Sequence, residues 1–172
     1  MIDWTEIPDG ETWELFSREV LEAKGFHVEV GVGRGSDAGC DLLVTEQLGG
    51  IIHRQRFRWL VSCKHYAKTG KAIGTNIESD ILDRVSQHEA DGFIGFYSTV
   101  PSQSLVNRLR SLKQQGNLSA YEIFDSRILE GYFISTGLSN IAFRYFPASY
   151  ASVRPIQQIF DEPLEVKCDV CD

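Results

Sequence analysis

An α/β sandwich built on a mixed β-sheet is the fold class this sequence predicts, and three observations carry the prediction. Helical spacing of apolar residues alternates along the chain with period-two runs. One five-residue stretch, Phe93-Ile94-Gly95-Phe96-Tyr97, is wholly apolar, as a strand covered on both faces must be. The order of patterns, helix, three strands, helix, strand, helix, strand, suits a layered sheet and not a helical bundle.

The elements follow in order. Asp9-Gly10-Glu11-Thr12 offers a turn and an N-cap, and Trp13, Phe16, Val20 and Leu21 then recur at helical spacing until Gly25. Phe26, Val28, Val30 and Val32 alternate with polar or small residues, the period of a half-buried strand. The glycine-rich run Gly33-Arg34-Gly35-Ser36-Asp37-Ala38-Gly39 turns the chain into a second strand, Cys40 to Thr45. Gly49-Gly50 marks a hairpin, and Phe57 to Cys63 reads as a third strand ending at Lys64. Ile77, Ile81, Leu82 and Val85 predict a helix reaching about Ala90. Leu105, Val106, Leu109 and Leu112 predict another, before a strand at Ala120 to Phe124. Beyond Asp125 the pattern thins to short helices around Ile128 to Phe133 and Ile141 to Phe146, before Pro147.

Composition sets the outer bounds. The chain has 172 residues, 42% hydrophobic and 24% charged, enough apolar material for one core. The expected division is a domain over 1–150 and a tail over 151–172. No run of about eighteen apolar residues occurs, and Met1 to Glu6 lacks the layout of a signal peptide, so a cytoplasmic protein with no membrane partner is expected. Four cysteines are too few for a disulfide scaffold, and Cys40 and Cys63 fall in strand-like segments, which predicts buried, reduced thiols. A net charge of -7 argues against wholesale nucleic-acid binding. Its distribution argues the other way: Arg54, Arg56, Arg58, Lys64, Lys68 and Lys71 make a basic middle on a chain with acidic ends.

Phosphodiester hydrolysis needs a hard cation held by carboxylate oxygens, an activated water and a positive group near phosphorus. Asp41 opens a strand after the glycine turn. Ser62 and Lys64, two apart at the end of the next strand, share a face, so a hairpin pairing brings Asp41 and Lys64 together at one edge while Cys63 points to the core. Gly33-x-Gly35 leads into a strand and lacks the Lys-Ser/Thr of a P-loop, which excludes nucleotide binding there. Structural readings remain open for each residue: Asp41 as a turn cap, Lys64 as an edge charge, Asp37 as a turn former, and Glu14 paired with Arg18 at i,i+4. Ser98-Thr99 is either a phosphate contact or a helix cap, the cap being favoured.

Asp37-Ala38-Gly39-Cys40-Asp41, Trp59-Leu60-Val61-Ser62-Cys63-Lys64-His65 and the preceding helix with Trp13-Glu14 resemble the Mrr-like branch of the PD-(D/E)xK nucleases, over about Thr12 to Phe124. That family carries an acid in its first helix, a D-x-G-x-D turn and strand, and a strand ending in Glu or Gln, any residue, then Lys. The resemblance implies a restriction-endonuclease-like fold and a Mg2+- or Mn2+-dependent DNA endonuclease. Asp41 would bind metal, Lys64 would orient water and stabilise the phosphorane, and Glu14 would be the helix acid, with Glu19 as fallback. Ser62 departs from the pattern: it offers a hydroxyl where the family has a carboxylate or amide, so it either bridges a water to the metal or marks a dead site. Arg34, His65, Lys68 and Lys71 are the candidate grips on the DNA backbone, with Thr69 beside them. Cys168 and Cys171 read as half a Zn2+ ribbon, as a dimer-bridging zinc site or as two thiols, the first being favoured.

The resemblance also implies an effector domain of prokaryotic antiviral defence or restriction, fused to or associated with an NTPase or sensor domain and able to form a homo-oligomer. Two rival readings accompany it. One is a degenerate module of the same fold that binds nucleic acid without cutting. The other is a resolvase of branched DNA, which would require a symmetric dimer.

Overall fold

The computed structural model describes residues 2–30, 40–49, 54–135 and 138–153. A five-stranded sheet runs in the order β1-β2-β3-β4-β5, with β1 at His27–Val30, β2 at Leu42–Gly49, β3 at Arg54–Lys64, β4 at Gly92–Tyr97 and β5 at Ala120–Phe124. The first three strands pair antiparallel and the last three parallel, so the sheet is mixed as expected. Parallel neighbours need a crossover. α2 (Ile81–Gln87) lies in the one between β3 and β4, and α3 (Gln103–Gln114) in the one between β4 and β5.

Strand alternation divides the apolar residues between the two faces. Leu42, Val44, Val61, Ile94 and Phe96 join one cluster with Trp13, Phe16, Val20 and Leu21 of α1 (Gly10–Ala23) and with Phe146. Leu43, Leu60, Phe93 and Tyr97 join a second with Ile73, Ile81, Val85, Leu105 and Leu109. Six consecutive buried residues mark β4 as an interior strand covered on both faces.

α1 starts and stops where its sequence says. The Asp9 carboxylate accepts from Thr12 N at 2.8 Å, and Gly25 at φ 95° closes the C-terminus, with Phe26 N donating to Leu21 O at 3.1 Å and Gly25 N to Glu22 O at 2.9 Å. α2 is shorter than expected. Ile77 sits in a turn on Gly74 O, and Arg108 of α3 takes the carbonyls of Glu78 and Ser79 at 3.0 and 2.5 Å, so the helix begins only at Ile81. Beyond β5 come α4 (Ser126–Ser135) and α5 (Ser139–Tyr145).

α5 stops before Pro147 as expected, and Pro147 opens α6 (Pro147–Val153), a position where its missing N–H costs nothing. The Glu6 carboxylate accepts from Ala148 N and Ser149 N, both at 2.9 Å, and so caps α6 from the other end of the chain. Among the described residues no helix is long and apolar enough to cross a membrane. The cysteine pair Cys168 and Cys171, like Arg34, Asp37 and the glycine-rich turn, lies outside the described residues.

Candidate active site

The ladder between β2 and β3 pairs Leu42 with Val61, so one further step sets Asp41 opposite Ser62 at the end of β3. There the Asp41 carboxylate accepts two hydrogen bonds on Oδ2, from Cys63 N at 2.6 Å and from Lys64 Nζ at 3.1 Å. The pair is sheltered but reachable, with side-chain exposures of 19% for Asp41 and 24% for Lys64. Both bonds use Oδ2, which leaves Oδ1 for another partner.

Cys63 points to the opposite face, into the α1 core, and reports what surrounds the strand end. Burial pushes its thiol far above the ordinary range, and the Asp41 and Glu14 carboxylates add to that rise, while a bond to Ser17 and the Lys64 charge work against it. Asp41, Glu14 and Lys64 therefore all act electrostatically on one sulfur. Glu14 arrives there because α1 lays Trp13 and Ser17 into the core, the Trp13 indole donating to Phe96 O at 3.1 Å. On the same helix Arg18 pairs with Glu22 at 3.1 Å. Glu19 instead meets Arg144 at 2.7 Å and the Tyr145 hydroxyl at 3.0 Å, a contact between α1 and α5.

A hard divalent cation is commonly held by one or two carboxylates, its shell completed by water and substrate phosphate. Asp41 Oδ1, which takes neither the Cys63 nor the Lys64 bond, is a donor of that kind. Among the described residues no group of three His, Cys, Asp or Glu side chains could hold an ion. The donor set thus fits a magnesium-like ion bound largely through water and phosphate, and does not fit a closed all-protein cage.

Ser62 is fully buried, and its hydroxyl accepts from Arg84 Nη1 at 3.3 Å. Arg84 is itself paired with the buried carboxylate of Glu78. His65 stacks on Trp13 with centroids 5.1 Å apart and its Nε2 lies 2.9 Å from Ile7 O. Burial, the largest influence, draws its pKa below the ordinary value. Lys68 Nζ donates to Pro8 O at 2.6 Å. Both side chains tie the loop after β3 to the segment that leads into α1. Lys71 is exposed, and its carbonyl accepts from Thr99 Oγ1 at 2.8 Å. Ser98 Oγ accepts from Tyr66 N at 2.8 Å, so Ser98 and Thr99 brace this loop, and the cap of α3 is Ser102.

Glu78, Arg84 and Tyr97 were not singled out by sequence reasoning. The available signal was Arg84 itself, a charged residue between Ile81 and Val85 on the apolar face of α2. A surface depression lined by Leu15, Arg18, Glu19, Glu22 and Ile141 shares no residue with this constellation.

Residues 8–94 match the Mrr catalytic-domain family, described as restriction endonuclease. The fold is similar to that of MspJI restriction endonuclease in complex with a 27-mer oligonucleotide, with a TM-score of 0.45 and 15% identity. That similarity covers 67% of this chain and 25% of the other. No curated protein matches the chain.

Proposed function

Because the chain belongs to the Mrr-type restriction endonuclease family, we propose that it is a Mg2+- or Mn2+-dependent DNA endonuclease whose site is built on Asp41 and Lys64. The observation that carries the reading is the Asp41 carboxylate held between Cys63 N–H and Lys64 Nζ at the end of β3. Asp41 and Glu14 would hold the cation, which would supply polarisation of a water and charge to offset the phosphate. Lys64 Nζ stabilises the charge that develops as the water oxygen bonds to phosphorus and one ester oxygen leaves. Cys63 N–H and Lys64 keep the Asp41 carboxylate in one orientation before substrate arrives, so no reorganisation is needed during the reaction. Lys71, exposed on the loop after β3, contacts the DNA backbone, with Arg34 assigned to the same role from the residues before β2. His65 and Lys68 position that loop.

The setting proposed is cytoplasmic, as the cutting domain of a prokaryotic restriction or antiviral defence protein with a fused or associated NTPase or sensor domain. Residues 1–150 form the nuclease unit.

The buried hydroxyl of Ser62, taken up by Arg84, favours a second reading: a module that binds DNA and cuts nothing. Supercoiled plasmid with magnesium or manganese separates the two, beside Asp41→Ala and Lys64→Ala. Metal-dependent nicking lost in both variants supports the endonuclease. Absence of cleavage together with absence of metal binding by calorimetry supports the module.

A further inference from the structure

On the opposite face of β3 from Cys63, four polar side chains form a buried network in what is otherwise the second apolar core. Glu78 is completely buried, and Arg84 is 5% exposed. Arg84 Nη2 meets Glu78 Oε2, Arg84 Nη1 donates to Ser62 Oγ at 3.3 Å, Arg84 Nε lies 3.2 Å from Asp80 Oδ1, and the Tyr97 hydroxyl donates to Glu78 Oε1 at 3.1 Å. Replacing a buried ion pair with apolar residues of similar volume is often neutral or stabilising, so burial of this pair calls for a reason other than stability.

Its attachment points supply the reason. Ser62 lies on β3, the strand that ends at Lys64, and Tyr97 on the neighbouring β4, where the parallel ladder pairs Ser62 with Gly95 and Lys64 with Tyr97. The network therefore closes a loop: from Ser62 through Arg84 and Glu78 to Tyr97, and across the ladder to Lys64. Two further features hold the far side. Arg108 clamps the carbonyls of Glu78 and Ser79. Gly95 leaves room for the Tyr97 ring to lean back along β4, since a Cβ at residue 95 would come within 2.4 Å of that ring.

We infer that the Ser62–Arg84–Glu78–Tyr97 network is the positioning device of the nuclease site: it holds the end of β3 so that Cys63 N–H and Lys64 Nζ both reach Asp41 Oδ2. This rests on the reading of Asp41 and Lys64 as the site. Ser62 then has a role where a metal-binding residue would stand in the family pattern: it receives the network. Glu78, Arg84 and Tyr97 are positioning residues, acting through Lys64 and Asp41.

The test uses the triple substitution Glu78→Leu, Arg84→Met and Tyr97→Phe, which removes every charge and hydroxyl of the far side together. Three readouts are taken: melting temperature, hydrogen exchange of the Cys63 amide by NMR, and kcat and KM on duplex DNA. The inference expects native-like melting, a loss of about tenfold or more in Cys63 protection, and a fall in kcat of about tenfold to a hundredfold with KM unchanged, the scale of a misplacement of about 1 Å. Native-like melting with unchanged Cys63 protection and kcat overturns it.

Should the triple variant not fold, Ser62→Ala and Tyr97→Phe, which keep the ion pair, decide the matter. A fall of about threefold or more in Cys63 protection supports the network, and no change in either variant overturns it. If the wild-type protein cuts no DNA, the proposed function fails, while Cys63 exchange still decides on the network.

Discussion

Alanine at residue 95 places a methyl group where the Tyr97 ring already lies. The added Cβ would meet Tyr97 Cζ and Oη at 2.4 Å and Cε2 at 2.6 Å, against an ordinary carbon contact of about 3.5 Å. The ring must move by about 1 Å, and it is fully buried with its hydroxyl bound to Glu78 Oε1 at 3.1 Å. Such a shift takes that bond beyond hydrogen-bonding range. Overpacking costs about 1–3 kcal/mol, and leaving a buried acceptor without its donor costs about 1–3 kcal/mol. Alanine's lower unfolded-state entropy returns about 0.5–1 kcal/mol. The net loss expected for Gly95→Ala is about 3 kcal/mol, read as a lower urea midpoint at unchanged slope. In a Tyr97→Leu background the obstructing ring is gone and the same change should cost less than about 1 kcal/mol. A Gly95→Ala protein within about 1 kcal/mol of wild type would refute the argument that Tyr97 is held in place across this glycine.

Three further outcomes are expected. Trp13→Phe leaves a gap in the α1 core and removes the indole bond to the Phe96 carbonyl, so thermal melting should report a loss of about 2–3 kcal/mol. His65 has a folded pKa below its ordinary 6.5, so its contribution to stability is fully present above that value and is lost as pH falls through the folded pKa; His65→Phe should flatten the fall in melting temperature between about pH 7 and 5. The Cys63 thiol, pushed far up by burial with Asp41 adding to the rise, should resist alkylation at about pH 8 until the protein unfolds, as peptide mapping would show; stoichiometric labelling of folded protein would contradict this.

Much of the frame was legible because its signals are local. Trp13, Phe16, Val20 and Leu21 recur at helical spacing and are all fully buried, while Gly25 ends their helix in the left-handed conformation that favours glycine. The apolar run Phe93 to Tyr97 is the interior strand β4, since only a strand covered on both faces tolerates such a sequence. The approach of Asp41 to Lys64 also followed from strand alternation and a hairpin. What was not legible depends on partners distant in the chain. Arg108 shortens α2 from thirty residues away, Glu6 caps a helix that begins at Pro147, and His65 and Lys68 reach the carbonyls of Ile7 and Pro8. Ser62 looked like a gap in a metal shell because its neighbours in sequence say nothing of Arg84. Its meaning rests on a side chain from the next crossover, and only the charged residue on an apolar helix face hinted at it.

The most direct measurement of the central claim is single-turnover cleavage of a labelled duplex by saturating Lys64→Ala protein with magnesium, beside wild type. The account expects the rate to fall by about 100- to 1,000-fold, the loss typical of removing one group that stabilises developing charge, with DNA affinity within about threefold of wild type. A Lys64→Ala protein that cuts at the wild-type rate would contradict it.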